Sequence, residues 1–282
     1  MKKSLLVLGV ALLTSTSVFA SNWGYAQNPS YGTYQQPAAQ SAPVRKRAPE
    51  TTYRMGNPLY HPTKGQKLFT AGSSYQYIPK EDAIRQPKVM GWTLDPEGEV
   101  GLTDKLSVYL NGGYGRFEVK SGPTKGRKVS EYAAAAGVRY LLASADGFDF
   151  NVDAGLYYDK SRAKDFGTTA RRTGTDIGFQ VGKKIMNMTP YFGVGFQTDF
   201  WSKRGSSHGT DTYINPGIYI DLTKVMSLNI DYKSVVHDDA RYGATLDVYP
   251  NRRFMLSFGS FVEHPETDKD RYGLTGAIKV AF

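Results

Sequence analysis

From about Gln66 to Phe282 the chain repeats one pattern, in which some ten or more residues alternate apolar and polar before a turn interrupts them. Alternation with period two places one set of side chains on each face of an extended strand. The last segment is the cleanest: Tyr272, Leu274, Ile278, Val280 and Phe282 share one face, and Gly273, Thr275, Ala277, Lys279 and Ala281 the other. Met226, Leu228, Ile230 and Tyr232 alternate in the same way with Ser227, Asn229, Asp231 and Lys233. Phe148, Phe150, Val152, Ala154 and Leu156 do so with Asp149, Asn151, Asp153 and Gly155. The pattern predicts strands over about 66–78, 88–102, 106–119, 128–142, 147–160, 171–184, 190–201, 211–222, 225–237, 241–249, 253–263 and 270–282.

The connections alternate in kind. Thr103-Asp104-Lys105, Ala143 to Asp146, Ile185 to Thr189, Thr223-Lys224 and Pro250 to Arg252 are tight turns. Ser121 to Arg127, Ser161 to Ala170 and Ser202 to Gly209 are mostly longer and basic. Long strands, hairpin connections and an even count describe an all-β chain, a transmembrane antiparallel up-and-down β-barrel of about twelve strands. Ten or fourteen remain alternatives, because the second segment carries Gly and Pro.

Ahead of the barrel, Lys2 and Lys3 precede an apolar run from Leu5 to Leu13, followed by Val18-Phe19-Ala20. This describes a signal peptide over residues 1–20 and export by the general secretory pathway. The run is shorter than the roughly 20 apolar residues a membrane helix needs. The chain has no Cys, so thiolate chemistry and disulfides are absent. Mean hydropathy is on the polar side, as expected where only every second strand residue meets lipid. Residues 21–64 are rich in Tyr, Gln, Pro, Ala and Ser, carry Arg45-Lys46-Arg47, and read as a disordered tail before a barrel over 65–282. Within that tail, Asn57 to Pro62 is a candidate short plug or collar.

In its signal peptide, alternating strands and terminal aromatic, the chain resembles the outer-membrane β-barrel proteins of Gram-negative bacteria, including the porin-like and small barrels. The resemblance covers everything from about Gln66 onward and implies an outer-membrane location with periplasmic termini. It also implies that Tyr272, Ile278, Val280 and Phe282 form the signal read by the barrel-assembly machinery. The tail would then be periplasmic, with peptidoglycan or a periplasmic protein as candidate partner. A soluble, lipocalin-like barrel is the alternative, with its apolar faces turned inward.

If the apolar faces meet lipid, the other faces line a lumen. They carry Asp95, Glu97, Glu99, Glu131, Asp149, Asp153, Asp176, Asp199, Asp221, Asp231 and Asp247 against Arg139, Lys184, Lys233 and Lys279. Carboxylates in excess between low-dielectric walls raise the local cation concentration. The small inward residues Gly113, Ala133, Ala135, Gly137, Gly155, Gly178, Gly193, Gly195, Gly217 and Gly243 are read as leaving room for water. The functional expectation is a narrow, cation-preferring diffusion channel. A closed structural or surface barrel is the alternative.

The basic surplus, a net charge of +9, gathers at the longer connections. Lys125, Arg127, Lys128, Arg162, Lys164, Arg171, Arg172, Lys203 and Arg204 are candidate contacts to lipopolysaccharide, besides the membrane lipid itself. No nucleic-acid module is visible. Trp92, Tyr132, Tyr140, Tyr158, Phe200 and Tyr242 fall on outward faces and suit the membrane interfaces. A barrel lipase or protease is the remaining class, but the chain has only His61, His208, His237 and His264, and neither a G-x-S-x-G elbow nor H-E-x-x-H. No catalytic residue, metal ligand or cofactor is therefore assigned, and the expectation is that the protein is not an enzyme.

Overall fold

The computed structural model describes residues 53–80, 87–145, 147–163, 167–203, 210–235, 240–265 and 270–282. The expected signal peptide lies outside them, as does most of the tail. Twelve strands follow one another: β1 (Lys67–Ile78), β2 (Val89–Gly101), β3 (Leu106–Val119), β4 (Lys128–Ala145), β5 (Phe148–Ala163), β6 (Thr168–Lys183), β7 (Met188–Lys203), β8 (Thr210–Thr223), β9 (Met226–Val235), β10 (Ala240–Asn251), β11 (Phe254–His264) and β12 (Arg271–Ala281). Each pairs antiparallel with its neighbour, and β1 pairs with β12 to close the barrel. The fold is thus a transmembrane up-and-down barrel of twelve strands, and the counts of ten and fourteen fall away. Strand ends differ from the expected ones by a few residues at most.

Closure is continuous along the seam. Leu68 faces Ala281 and the pairing runs to Tyr77 opposite Tyr272, while Lys67 and Phe282 exchange backbone bonds of 2.8 and 3.2 Å. The second segment is a full strand despite its proline. Pro96 pairs with Ala71 of β1, and the ladder to β3 is interrupted there, between Leu94–Tyr114 and Glu97–Asn111. A residue without an N–H is tolerated where the ladder breaks. Pro216 marks the same kind of gap between β8 and β9, from Ile214–Ser234 to Gly217–Asp231.

The face assignment follows from exposure. Leu110, Leu156, Phe258 and Leu274 are 58–65% exposed, whereas Glu99, Asp149, Asp247 and Lys279 are at most 3% exposed. Charges inside and large apolar side chains outside are the reverse of a soluble barrel, so the lipocalin-like alternative is contradicted. Trp92, Tyr132, Tyr140, Tyr158, Phe200 and Tyr242 all lie on the exposed outer surface. The assembly-signal candidates Tyr272, Ile278 and Phe282 are exposed there too, and Val280 is half-buried.

Residues 53–64, expected to belong to an unstructured tail, are instead packed against the barrel. Tyr53, Met55, Leu59 and Tyr60 are buried against Leu68, Tyr249, Met255 and Ala281. Their apolar side chains find cover inside the barrel, at the end that holds both barrel termini and the tight turns, called here the turn end. At the opposite loop end, Ile78, Val89, Phe117, Val119 and Val129 form a second inward apolar cluster.

Ile177 stands midway along the outer face of β6 and is 41% exposed. Ile177→Arg should destabilise the barrel by about 2–4 kcal/mol, the cost of a cation near the bilayer midplane. Equilibrium unfolding from lipid vesicles measures it; a neutral substitution would mean that this face does not meet hydrocarbon.

Candidate functional site

The inserted segment, residues 53–66, crosses the turn end and touches strands all round the barrel. Tyr53 donates to Asp149 of β5 at 2.5 Å, and Arg54 pairs with Asp221 of β8 at 3.2 Å and donates to the Thr223 carbonyl at 2.6 Å. Asn57 donates to Thr189 of β7 at 3.0 Å. The strands also reach back: Tyr249 of β10 donates to the Met55 carbonyl at 2.6 Å and Asn151 of β5 to the Leu59 carbonyl at 3.3 Å. Gly56 has φ +144, a conformation open to glycine, and a side chain there would collide with Asp247 and Tyr249. Backbone that would otherwise be orphaned inside the barrel is thereby satisfied.

Above this floor the wall is built from buried ion pairs. Arg139 on β4 donates to both oxygens of Glu99 on β2, at 3.0 and 3.1 Å, and Ser107 on the intervening β3 donates to the same carboxylate at 2.5 Å. Nearer the loop end, Arg172 on β6 bonds Asp159 at 2.9 Å and lies 3.9 Å from Asp199, which also accepts from the Tyr157 hydroxyl. Arg271 and Glu263 pair at 3.3 Å. Guanidinium groups suit this role because their planar donors bridge carboxylates on neighbouring strands.

Six of the inward glycines, Gly137, Gly155, Gly178, Gly195, Gly217 and Gly243, do not leave room for water as the sequence reading expected. Tyr213 lies in the space at Gly195, Tyr191 at Gly217, and Tyr109 at both Gly137 and Gly155. Asp153 fills the space at Gly178 and Asp231 that at Gly243. A glycine on one strand is the socket for a long side chain from the next. The wall gains packing contacts rather than a path.

Open volume remains to one side of these pairs. A cavity of about 270 Å³ lies between β1 and β2 and the β7–β12 wall, with Pro58 of the inserted segment on its lining. At about 30 Å³ per molecule it holds on the order of nine waters. Neutral groups such as Thr70, Gln76, Asn215, Asn229 and Thr275 dominate its lining. Asp95, Glu97 and Asp231 are matched there by Lys233, Arg241 and Lys279.

All the expected lumen residues lie on inward positions. Glu97, Glu99, Glu131, Arg139, Asp149, Lys233 and Asp247 are buried; Asp95, Asp153, Asp176, Asp199, Asp221 and Asp231 are half-buried. The structure brings Asp95, Glu97, Asp231 and Lys233 to the cavity, whereas Asp149 and Asp221 hold the inserted segment. One candidate lipopolysaccharide contact is a correction: Arg172 points inward to its carboxylates. Lys125, Lys128, Arg162 and Arg171 are exposed, Arg127 is half-buried, Lys203 ends β7, and Lys164 and Arg204 lie outside the described residues. Asp159, Arg241, Glu263 and Arg271 were missed as lumen residues, although each shares strand parity with an inward neighbour: Tyr157, Gly243, Phe261 and Gly273.

Among the histidines, His61 sits in the inserted segment and contacts the Pro62 and Arg139 carbonyls at 3.0 and 3.2 Å. Burial lowers its pKa below the ordinary value, favouring the neutral ring. His264 lies 2.5 Å from Asp270 on the exposed surface; His208 and His237 are outside the described residues. Among the described residues no group of three or more His, Asp or Glu is placed to hold a metal ion.

Solved structures share this barrel. An outer membrane channel from Pseudomonas putida F1 superposes with a TM-score of 0.58 at 12% identity, over 79% of this chain and 97% of its own. The fold is that of the outer-membrane β-barrels. The translocator domain of the autotransporter NalP from Neisseria meningitidis matches with a TM-score of 0.52 at 13% identity, over 79% of this chain and 91% of its own. The transport unit of the autotransporter AIDA-I from Escherichia coli gives 0.52 at 8% identity, over 78% and 91%. No protein-family model and no curated relative matches the chain. At these identities the likeness is one of fold.

Three substitutions test how this outer-membrane-type barrel holds its interior. Arg139→Met leaves Glu99 buried without its guanidinium and should cost about 3–5 kcal/mol; adding Glu99→Met should restore much of it. Gly195→Ala drives a methyl into Tyr213 and should cost about 1–3 kcal/mol. All are read from the midpoint of urea unfolding in lipid vesicles, and a neutral Gly195→Ala would refute the socket.

Proposed function

We propose that the protein sits in the outer membrane with both barrel termini periplasmic, and acts there as a narrow diffusion channel for small polar solutes, closed by its own inserted segment. The observation that carries this reading is the polar cavity of about 270 Å³, which ends on Pro58 of residues 53–66. Side chains filling the interior throughout would have left no such space. Asp95, Glu97 and Asp231 favour cations, and Lys233, Arg241 and Lys279 oppose them in equal number along the same cavity, so any cation preference is mild.

The breadth of the segment's anchoring, from β5 round to β10, favours a second reading: a permanently closed barrel with a structural role. Conductance in planar bilayers separates the two. The wild type should be mostly silent, and a variant lacking residues 53–63 should pass steady current. Arg54→Ala with Asn57→Ala, which loosens two anchors and leaves the apolar contacts, should open more often than the wild type. Heat-modifiable gel mobility checks that each variant is folded. In the open variant, Asp95→Asn with Asp231→Asn should lower the cation preference seen in the reversal potential. Folded variants that stay silent would favour the structural barrel.

A further inference from the structure

We propose that the outward loop-end surface of β3 to β6 binds the phosphate groups of lipopolysaccharide through Arg116, Lys160, Arg162 and Arg171. This goes beyond the channel reading and rests only on the barrel's placement in the outer membrane.

The register assembles the site. Lys160 of β5 stands directly opposite Arg171 of β6, and Arg162 follows two residues along the same face of β5. Arg162 is opposite Ser130 of β4, which is opposite Arg116 of β3. Adjacent strands lie about 4.8 Å apart, so the four cations fit within about 15 Å across the surface. Like charges directly opposite one another destabilise a sheet unless a counter-ion lies between them. Ser130, Tyr132, Tyr158, Thr169 and Thr173, described neighbours on this face, supply none, and Glu118, two residues along β3, is within electrostatic reach of Arg116. Glu118 is engaged by Lys120 at 2.9 Å, and Asp159 and Asp199 hold Arg172 on the inner face. Lys160 stacks 5.8 Å over the Tyr132 ring.

The height of the cations identifies the partner. Along β5 the outward residues are Phe148, Phe150, Val152, Ala154, Leu156 and Tyr158, followed by Lys160 and Arg162. From Phe148 to Tyr158 the strand climbs about 33 Å, which at a tilt near 40° gives an apolar band of about 25 Å. Lys160, Arg162 and Arg171 therefore emerge just beyond the hydrocarbon, at headgroup level. In the leaflet facing away from the barrel termini, that level holds the phosphates of lipopolysaccharide. Three of the four groups are guanidinium, whose planar donors match phosphate oxygens two at a time.

The full-length mature protein, refolded in zwitterionic detergent, is titrated with purified lipopolysaccharide, and bound lipid is counted by native mass spectrometry. Arg162→Ala with Arg171→Ala should weaken binding about thirtyfold, from two headgroup-level charges. Lys224→Ala with Arg253→Ala removes the same charge at the turn end and should leave binding unchanged. Phosphatase-treated lipopolysaccharide should bind poorly to the wild type. Heat-modifiable mobility confirms that both variants are folded, and no current is measured, so failure of the channel reading leaves the result intact. Equal loss in both variants would overturn the site, as would unchanged binding in the first. Phosphatidylglycerol binding as tightly as lipopolysaccharide would overturn the choice of partner.

Discussion

Hydrocarbon offers no hydrogen bonds, and this single constraint shapes the molecule. Every N–H and C=O within the membrane must find a backbone partner, so a sheet can cross only if it closes. The seam between β1 and β12, running from Leu68–Ala281 to Tyr77–Tyr272, removes the last free edges. The same constraint explains where the chain departs from regular pairing. Pro96 and Pro216 fall at gaps in one ladder each, and the register shifts near Leu141, Thr173, Asp221 and Val248 lie toward strand ends.

Closure has a second consequence, since half the side chains of every strand are forced into a narrow interior. The interior is polar, yet too crowded for each charge to be hydrated. Arg139 with Glu99, and Arg172 with Asp159 and Asp199, neutralise one another across strands, and the inward tyrosines lie over glycines of their neighbours. The polar cavity lies to the side away from these pairs. The inserted segment uses the same chemistry, tying Arg54 to Asp221 and Tyr53 to Asp149. A path through the barrel is therefore controlled by contacts that are individually ordinary.

Much of the candidate site was legible because a strand's faces are fixed by parity. Once Asp153 was assigned inward, Asp149 followed, and the same rule would have given Asp159 and turned Arg172 inward beside Asp176. Arg172 was instead assigned by its charge and its place near a loop. Parity cannot tell whether a glycine is a gap or a socket. At Gly195 that depends on Tyr213, a residue brought opposite it only by the β7–β8 register.

The sequence by itself determined the strand pattern and which side chains share a face of each strand, because alternation is a local property of an extended chain; closure settled the count of twelve, and exposure settled that the charges face inward. Only the tertiary structure decided which charges pair, which glycines are filled, where the cavity remains, and that residues 53–66 lie inside the barrel. Those outcomes depend on contacts between residues far apart in the chain, such as Tyr53 with Asp149 and Met55 with Tyr249. The sequence marked Asn57 to Pro62 as a candidate plug, but a short stretch without periodicity does not announce the extent of its burial; it is buried because a closed barrel gives it partners all round.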